Sequence, residues 1–474
     1  MIAFHNTLTG RLEPFLPPQP GEVKLYTCGP TVYDYPHIGN YRAYVFEDLL
    51  KRFLTASGLR VLHVMNITDV DDKTIRGANS RGVSLEEYTA PFVEAFFEGL
   101  RTLRVKPADH YPRATRFIPE MADMIQGLLD KGFAYLKDGS VYFSLLRFPE
   151  YGKLSKVRPS DLRTTARVGA RLEADEYEKD SARDFALWKA AKPGEPAWDA
   201  PFGRGRPGWH IECSAMSSKL LGPTFDLHCG GVDNIFPHHE NEIAQSEAFF
   251  GRPFVRTWMH CHHLIVDGEK MSKSKGNVHT LADLVAGRGL DPSALRFFLL
   301  SSHYRKVLNF TFEAVDQAAS ALQRIRDFVY ELDHAAFPPG RTGEGARLAA
   351  EARAKFLDGL GDDLNISTAL TALFELVRMG HALIKDGTLG ADDASDLVSG
   401  VYSMDEVLAV LPPRRDEELP EELRRKVEER ERARKDRNWA LADRLRGELL
   451  EAGLVLEDTK DGVRWKVRAR TGSP

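Results

Sequence analysis

The sequence predicts an α/β protein. A doubly wound, Rossmann-type domain with an insertion comes first, then a helical bundle, then a small basic C-terminal domain. Three observations predict this. Strand, loop, helix and strand follow one another near the N-terminus, the opening of a doubly wound sheet. Apolar spacing becomes helical from about residue 313 and stays so to about 410. A Leu411-Pro412-Pro413 break then precedes a charged helical stretch that ends in a hairpin pattern.

Each element has its own signal. Residues 23–28 form a short apolar strand, and a Gly/Pro loop spans 29–39. Ala43, Phe46, Leu49, Leu50, Phe53 and Leu54 recur at helical spacing, and Gly58 is a stop signal. Val61, His63 and Met65 alternate with Leu62 and Val64, which suits a strand. Residues 110–200 are dominated by Pro, Gly and charge, with a strand candidate at 142–145, and read as an insertion. The α/β pattern returns as a strand at 225–231 and a helix at 237–250. Pro237 suits the first helical position of that helix, with Asp233 or Asn234 as cap. Ala318, Leu322, Ile325, Val329 and Leu332 mark the bundle. The tail reads as helix over 421–451, then strands at 454–456 and 463–467 around Asp461-Gly462. Domains are expected at 1–312, 313–410 and 420–474, the first holding the insertion at about 110–200 and the region of the lysine loop at about 265–312.

Length and charge narrow the function classes. At ~150 residues per domain, 474 residues suit three domains. With 64 Lys+Arg against 69 Asp+Glu, the net charge is −5, which excludes a uniformly cationic nucleic-acid coat. Residues 421–470 carry 15 Lys/Arg and 12 Asp/Glu, so the tail is locally basic. No apolar run reaches the ~18 residues of a membrane span, and the first residues lack the basic-then-apolar pattern of a secretory signal. Four cysteines suit a reducing cytoplasm, where thiols serve metals or catalysis.

Two segments suit a nucleotide. Pro36-His37-Ile38-Gly39-Asn40 lies between strand and helix, where free N–H groups and the helix dipole favour phosphate. His37 and Asn40 offer donors, and Gly39 permits close approach of a base or ribose. Lys270-Met271-Ser272-Lys273-Ser274-Lys275-Gly276-Asn277 places lysines on a small-residue loop, suited to the charge of departing pyrophosphate. Elsewhere, His238 and Glu242 are four apart on one helical face. With Cys28 and Cys213 they would make a tetrahedral zinc set, although spacing alone does not show it. The crowded His260-Cys261-His262-His263 run sits on an expected strand, whose alternating faces prevent convergence. It reads as structural, as does Cys229, and His239 turns away from His238 by about 100° on a helix. Asp69, Asp71 and Asp72 suit capping and salt bridges as well as they suit magnesium. Trp439 and Trp465 in the tail can stack on bases.

The paired Pro-His-Ile-Gly-Asn and Lys-Met-Ser-Lys-Ser segments resemble the signatures of class I aminoacyl-tRNA synthetases. The segments at 27–34, 66–73, 207–216 and 236–242 resemble, more narrowly, the cysteinyl-tRNA synthetase family, and the similarity runs along essentially the whole chain. One position departs: the first signature usually ends in His, where this chain has Asn40. The resemblance implies a class I Rossmann-type catalytic domain and a C-terminal anticodon-binding domain. It implies ATP-dependent activation of L-cysteine and transfer to tRNA(Cys). The implied zinc ligands, for one ion per chain, are Cys28, Cys213, His238 and Glu242. Catalytic roles fall on His37, Asn40, Lys270 and Lys273. Gly39, Gly231 and Asp233 would hold ATP, with Mg²⁺ accompanying it. Cys28, Thr68 and Trp209 would flank the amino acid, Trp209 as an apolar wall. Trp439 is the expected tRNA contact, and a cytoplasmic monomer the expected form. An ATP-dependent ligase joining cysteine to an amino-sugar acceptor would share the motifs, but has no use for a basic RNA-binding tail. A non-catalytic RNA-binding relative could dispense with the lysine loop or a metal ligand, and this chain keeps both.

Overall fold

The computed structural model describes residues 2–157, 184–272, 275–412, 421–436, 438–452, 454–459 and 462–467. Two compact units divide it. One comprises Met1–Thr280, Leu299–Thr311 and Lys355–Leu370; the other comprises Leu281–Phe298, Phe312–Ala354 and Thr371–Pro474.

The first unit is built on a four-stranded parallel sheet. Its order is Val255–Cys261, Phe225–Gly231, Glu22–Thr27, Arg60–Met65. Leu25, Tyr26, Val64, Leu227 and Trp258 are buried in it, because helices cover both faces of a parallel sheet. Strand order reverses between Glu22–Thr27 and Phe225–Gly231, so a crevice opens beyond their carboxyl ends. Thr27 pairs with Cys229 there, and the Cys28 N–H donates to the Cys229 carbonyl at 3.2 Å.

The helix Ile38–Ala56 follows the first strand, buries Phe46, Leu49, Leu50, Phe53 and Leu54, and stops before Gly58, whose φ is +86°. The Glu240–Phe250 helix starts later than its sequence suggests. Pro237 follows a cis peptide inside a wide turn, Ile235–His239, in which Phe236 is non-helical. The insertion is more regular than its composition implies. It has a helix, Ile118–Asp130, and an antiparallel sheet ordered Ala134–Lys137, Ser140–Phe143, Phe185–Ala190, Gly205–Pro207. Phe143, Phe185, Leu187 and Trp188 make its core. A short N-terminal hairpin, Ala3–Asn6 with Arg11–Pro14, carried no sequence signal strong enough to find it.

In the second unit, the Phe312–His334 helix buries Val315, Ala318, Leu322, Ile325, Phe328, Val329 and Leu332. Gly380 of the Ile366–Lys385 helix admits the Phe328 ring, since a Cβ there would lie 2.2 Å from it. Phe328 is fully buried. Phe328→Ala is expected to lower the unfolding free energy by about 3–5 kcal/mol in denaturant titration. The tail forms helices Glu421–Lys435 and Trp439–Glu451 and a hairpin pairing Leu454–Thr459 with Gly462–Val467. Val427, Leu449, Leu454 and Leu456 form its core. Trp439 stays outside that core at 56% exposed, and the side chain of Trp465 lies outside the described residues.

Candidate metal centre and nucleotide cleft

The crevice holds a cleft of about 880 Å³. Cys28, His37, Gly39, Asn40, Thr68, Trp209, Gly231, Asp233 and His238 all line it. The close approach of its two front loops is tight: a Cβ on Gly29 would sit 1.8 Å from the Asn66 carbonyl oxygen. Thr68 pairs with Thr31 across those loops and is buried.

The two nucleotide segments meet. Ile38 N–H donates to the His279 carbonyl at 2.9 Å, and His37 bridges Thr280 in antiparallel fashion. A Cβ on Gly39 would lie 2.3 Å from Met271 Cε. Asn40 closes the helix N-terminus, because its Oδ1 accepts the His37 N–H at 3.0 Å. Its amide nitrogen retains a donor at the cleft it lines. Asn277 braces the lysine loop by accepting the Ser272 N–H at 2.8 Å. Met271 and Ser272 line the cleft, whereas Lys270 is exposed beside them. Lys273 lies outside the described residues.

Four donors gather at the base. One donor atom from each of Cys28, Cys213, His238 and Glu242 lies within 4.8 Å of every other. Zinc holds sulfur at about 2.3 Å and nitrogen or oxygen near 2.0 Å, so donors around one tetrahedral ion lie about 3.3–3.8 Å apart, inside that limit. Cys213, His238 and Glu242 are almost fully buried. Glu242 Oε1 lies 3.0 Å from His238 Nε2 yet takes no hydrogen bond of acceptable angle. A buried carboxylate oxygen in that state is suited to a cation. Burial would deprotonate His238, but Glu242 and Cys213 beside it hold its pKa at about 10. Burial would raise Glu242, but His228 and His238 bring it down to about 2. The centre therefore has a negative potential, and its donor set fits a divalent soft-to-borderline metal.

An outer ring of histidines surrounds these donors. His210 Nδ1 is 2.9 Å from His238 Nδ1, and His228 Nε2 is 2.9 Å from Glu242 Oε2. His239 Nε2 is 3.2 Å from Cys28 Sγ, and its other nitrogen is 2.8 Å from His260, which reaches Thr7 Oγ1 at 2.8 Å. Cys28, His228, His239 and Glu242 also satisfy the distance for a metal. This alternative has one thiol fewer, however, and so suits a soft metal less well. It suits groups that orient the ligands from behind. His239 thus does not leave the site as a regular helix would require, because the Ile235–His239 turn is not α-helical. His260 likewise joins the network through His239, and His262 and His263 line the cleft. Among the described residues, Cys229 belongs to no donor group, and burial raises its thiol pKa.

The remaining carboxylates have structural partners. Asp69 accepts from Thr115 N–H and Oγ1 at 2.9 and 2.7 Å, and Asp71 caps a helix through Lys73 N–H at 2.8 Å. Asp72 pairs with Lys189 and Arg206. Trp209 stacks on His238 with ring centroids 4.2 Å apart, which places the indole against the donor cluster.

Comparison with known proteins finds similar chains over nearly the full length. Residues 14–320 match the family described as tRNA synthetases class I (C) catalytic domain, and residues 416–465 match the Cysteinyl-tRNA ligase anticodon binding domain. The Cysteine–tRNA ligase of Chlamydia muridarum is 50% identical over 481 residues, covering 98% of this chain and 99% of that protein. That of Protochlamydia amoebophila is 46% identical, covering 98% of each. Among solved structures, methionyl-tRNA synthetase of Mycobacterium tuberculosis with methionyl-adenylate aligns with a TM-score of 0.57 at 16% identity, covering 82% of this chain and 90% of that one. That last likeness concerns the fold alone.

Proposed function

The chain belongs to the cysteine–tRNA ligase family, and on that premise we propose that a zinc ion held by Cys28, Cys213, His238 and Glu242 selects its cysteine substrate. The chain is an ATP-using ligase that joins cysteine to tRNA. The convergence of four donors at the base of the cleft carries the zinc reading. When bound, zinc supplies a soft site for the substrate thiolate, which serine's harder and less acidic hydroxyl matches poorly.

The protein's own groups do the rest. Trp209 and Thr68 bound the space above the donors and orient the side chain of cysteine. Its carboxylate then faces the nucleotide side of the cleft, where it attacks the α-phosphate of ATP and pyrophosphate departs. His37, Asn40, Lys270 and Lys273 stabilise charge on the phosphates, accompanied by Mg²⁺. Gly39 lets the nucleotide approach the helix N-terminus, and Gly231 and Asp233 hold the nucleoside. The terminal ribose of tRNA(Cys) then takes the cysteinyl group. Four free thiols fit a reducing cytoplasm, and we place the chain there as a monomer. No helix among the described residues is long and apolar enough to cross a membrane.

Cysteine-dependent ATP–pyrophosphate exchange tests the reading, with serine as control. Exchange that is specific for cysteine and lost on zinc chelation supports it; exchange indifferent to chelation contradicts it. Trp439 tests the tail. Because it is largely exposed, Trp439→Ala spares the small core, and loss of one base stack at ~1–3 kcal/mol implies roughly a ten-fold rise in KM for tRNA. Exchange without tRNA stays at the wild-type level. The tail's match to an anticodon-binding family supports an RNA acceptor over an amino-sugar one.

A further inference from the structure

Lys189 and Arg206 are directly opposed in the insertion sheet, on neighbouring antiparallel strands. Like charges so placed repel each other and destabilise a sheet. Arg206 is only 3% exposed, so water does little to screen the pair. Asp72 resolves the conflict from a different element. It is the first residue of the Asp72–Arg81 helix, already capped by Asp71, so its carboxylate is not needed as the cap. One oxygen takes Lys189 Nζ at 2.5 Å and the other takes Arg206. Glu195 accepts from Arg206 Nε at 2.9 Å, which makes a neutral quartet. The two cations hold Asp72 below the usual carboxylate range, against the effect of burial.

Both ends of this latch lead to the cleft. Arg206 is three residues before Trp209, and the link between them packs on the neighbouring strand at Gly208. Gly208 N–H donates to the Leu187 carbonyl at 2.9 Å, and a Cβ on Gly208 would lie 2.1 Å from the Ala186 oxygen. Asp72 is four residues after Thr68. Asp72, Lys189 and Arg206 border a second cavity of about 140 Å³, and two of its walls, Thr31 and Trp209, also line the main cleft. We propose that Asp72 is a positioning residue for cysteine: by holding the opposed cations it fixes the rail that presents Trp209 over the donor cluster. The inference rests on the reading of that cluster as the cysteine site.

The test is cysteine-dependent ATP–pyrophosphate exchange in the full-length enzyme. Asp72→Asn is expected to raise KM for cysteine about ten-fold, the penalty of a misplaced wall, while KM for ATP stays within about two-fold. Lys189→Met in the same chain removes the uncompensated cation, so the double variant recovers part of the loss, a non-additivity expected of contacting groups. An unchanged KM for cysteine, equal rises in both KM values, or a double variant no better than Asp72→Asn would each overturn the latch. Should Asp72→Asn fail to fold, Asp72→Glu is the probe: it keeps the charge but displaces the carboxylate from both cations, so a rise in KM for cysteine with KM for ATP constant supports the proposal, and no rise overturns it. Absence of cysteine-dependent exchange in the unaltered enzyme would instead overturn the reading of the cleft, and the latch with it.

Discussion

Glu242→Ala is expected to yield protein without stoichiometric zinc and to reduce cysteine-dependent exchange by at least about 100-fold, with ATP affinity nearly intact. The expectation follows from position. Glu242 is fully buried, offers one oxygen to the donor cluster, and binds His228 with the other at 2.9 Å. It is absent from the lining of the cleft, whereas His37, Gly39 and Asn40 of the first nucleotide segment line it. Alanine leaves the two thiols and two histidines without the anion that organises them, so metal is lost first and the amino-acid site with it. Metal analysis with exchange kinetics measures the first two effects, and equilibrium ATP binding measures the third. Equal loss of ATP binding and cysteine activation would contradict the division of the cleft into a metal end and a nucleotide end.

Gly39→Val is expected to lower the rate of adenylate formation by about 10–100-fold, since small displacements of reacting groups cost that much. The position has no room. A Cβ there meets Met271 Cε at 2.3 Å and the His37 ring at 3.1 Å. Met271 Cε is the end of a flexible side chain, so Gly39→Ala is milder; valine's branched Cβ forces the helix N-terminus and the lysine loop apart. Met271→Ala should relieve the alanine variant in a double-mutant cycle. Single-turnover measurement of pyrophosphate release gives the rates. A fully active valine variant would show that the close contact of these two loops is dispensable.

Much of the fold was legible because it is periodic. The spacing from Ala318 to Leu332 has one physical solution, a helix with a buried stripe, and the structure buries those residues. The switch from strand to loop to helix at residues 23–54 was legible for the same reason. The insertion was harder to read, because its strands are three to six residues long and Gly205–Pro207 has no alternation to detect. The donor cluster was of a third kind. Cys28, Cys213, His238 and Glu242 come from separate elements, so no spacing joins them, and only resemblance to a family pointed to the set. The outer ring lay beyond even that. His210, His228, His239 and His260 come from separate buried segments, and their chain of contacts depends on a turn that departs from regular helix at Phe236. Asp72, Lys189 and Arg206 illustrate the same limit, since opposed cations are visible only once strand register is known.

Zinc-edge X-ray absorption on the isolated protein tests the central claim most directly. The donor set predicts a coordination sphere of two sulfurs at about 2.3 Å and two lighter atoms near 2.0–2.2 Å, with a third sulfur added when cysteine is present. A sphere without sulfur, or one that cysteine leaves unchanged, would contradict the account.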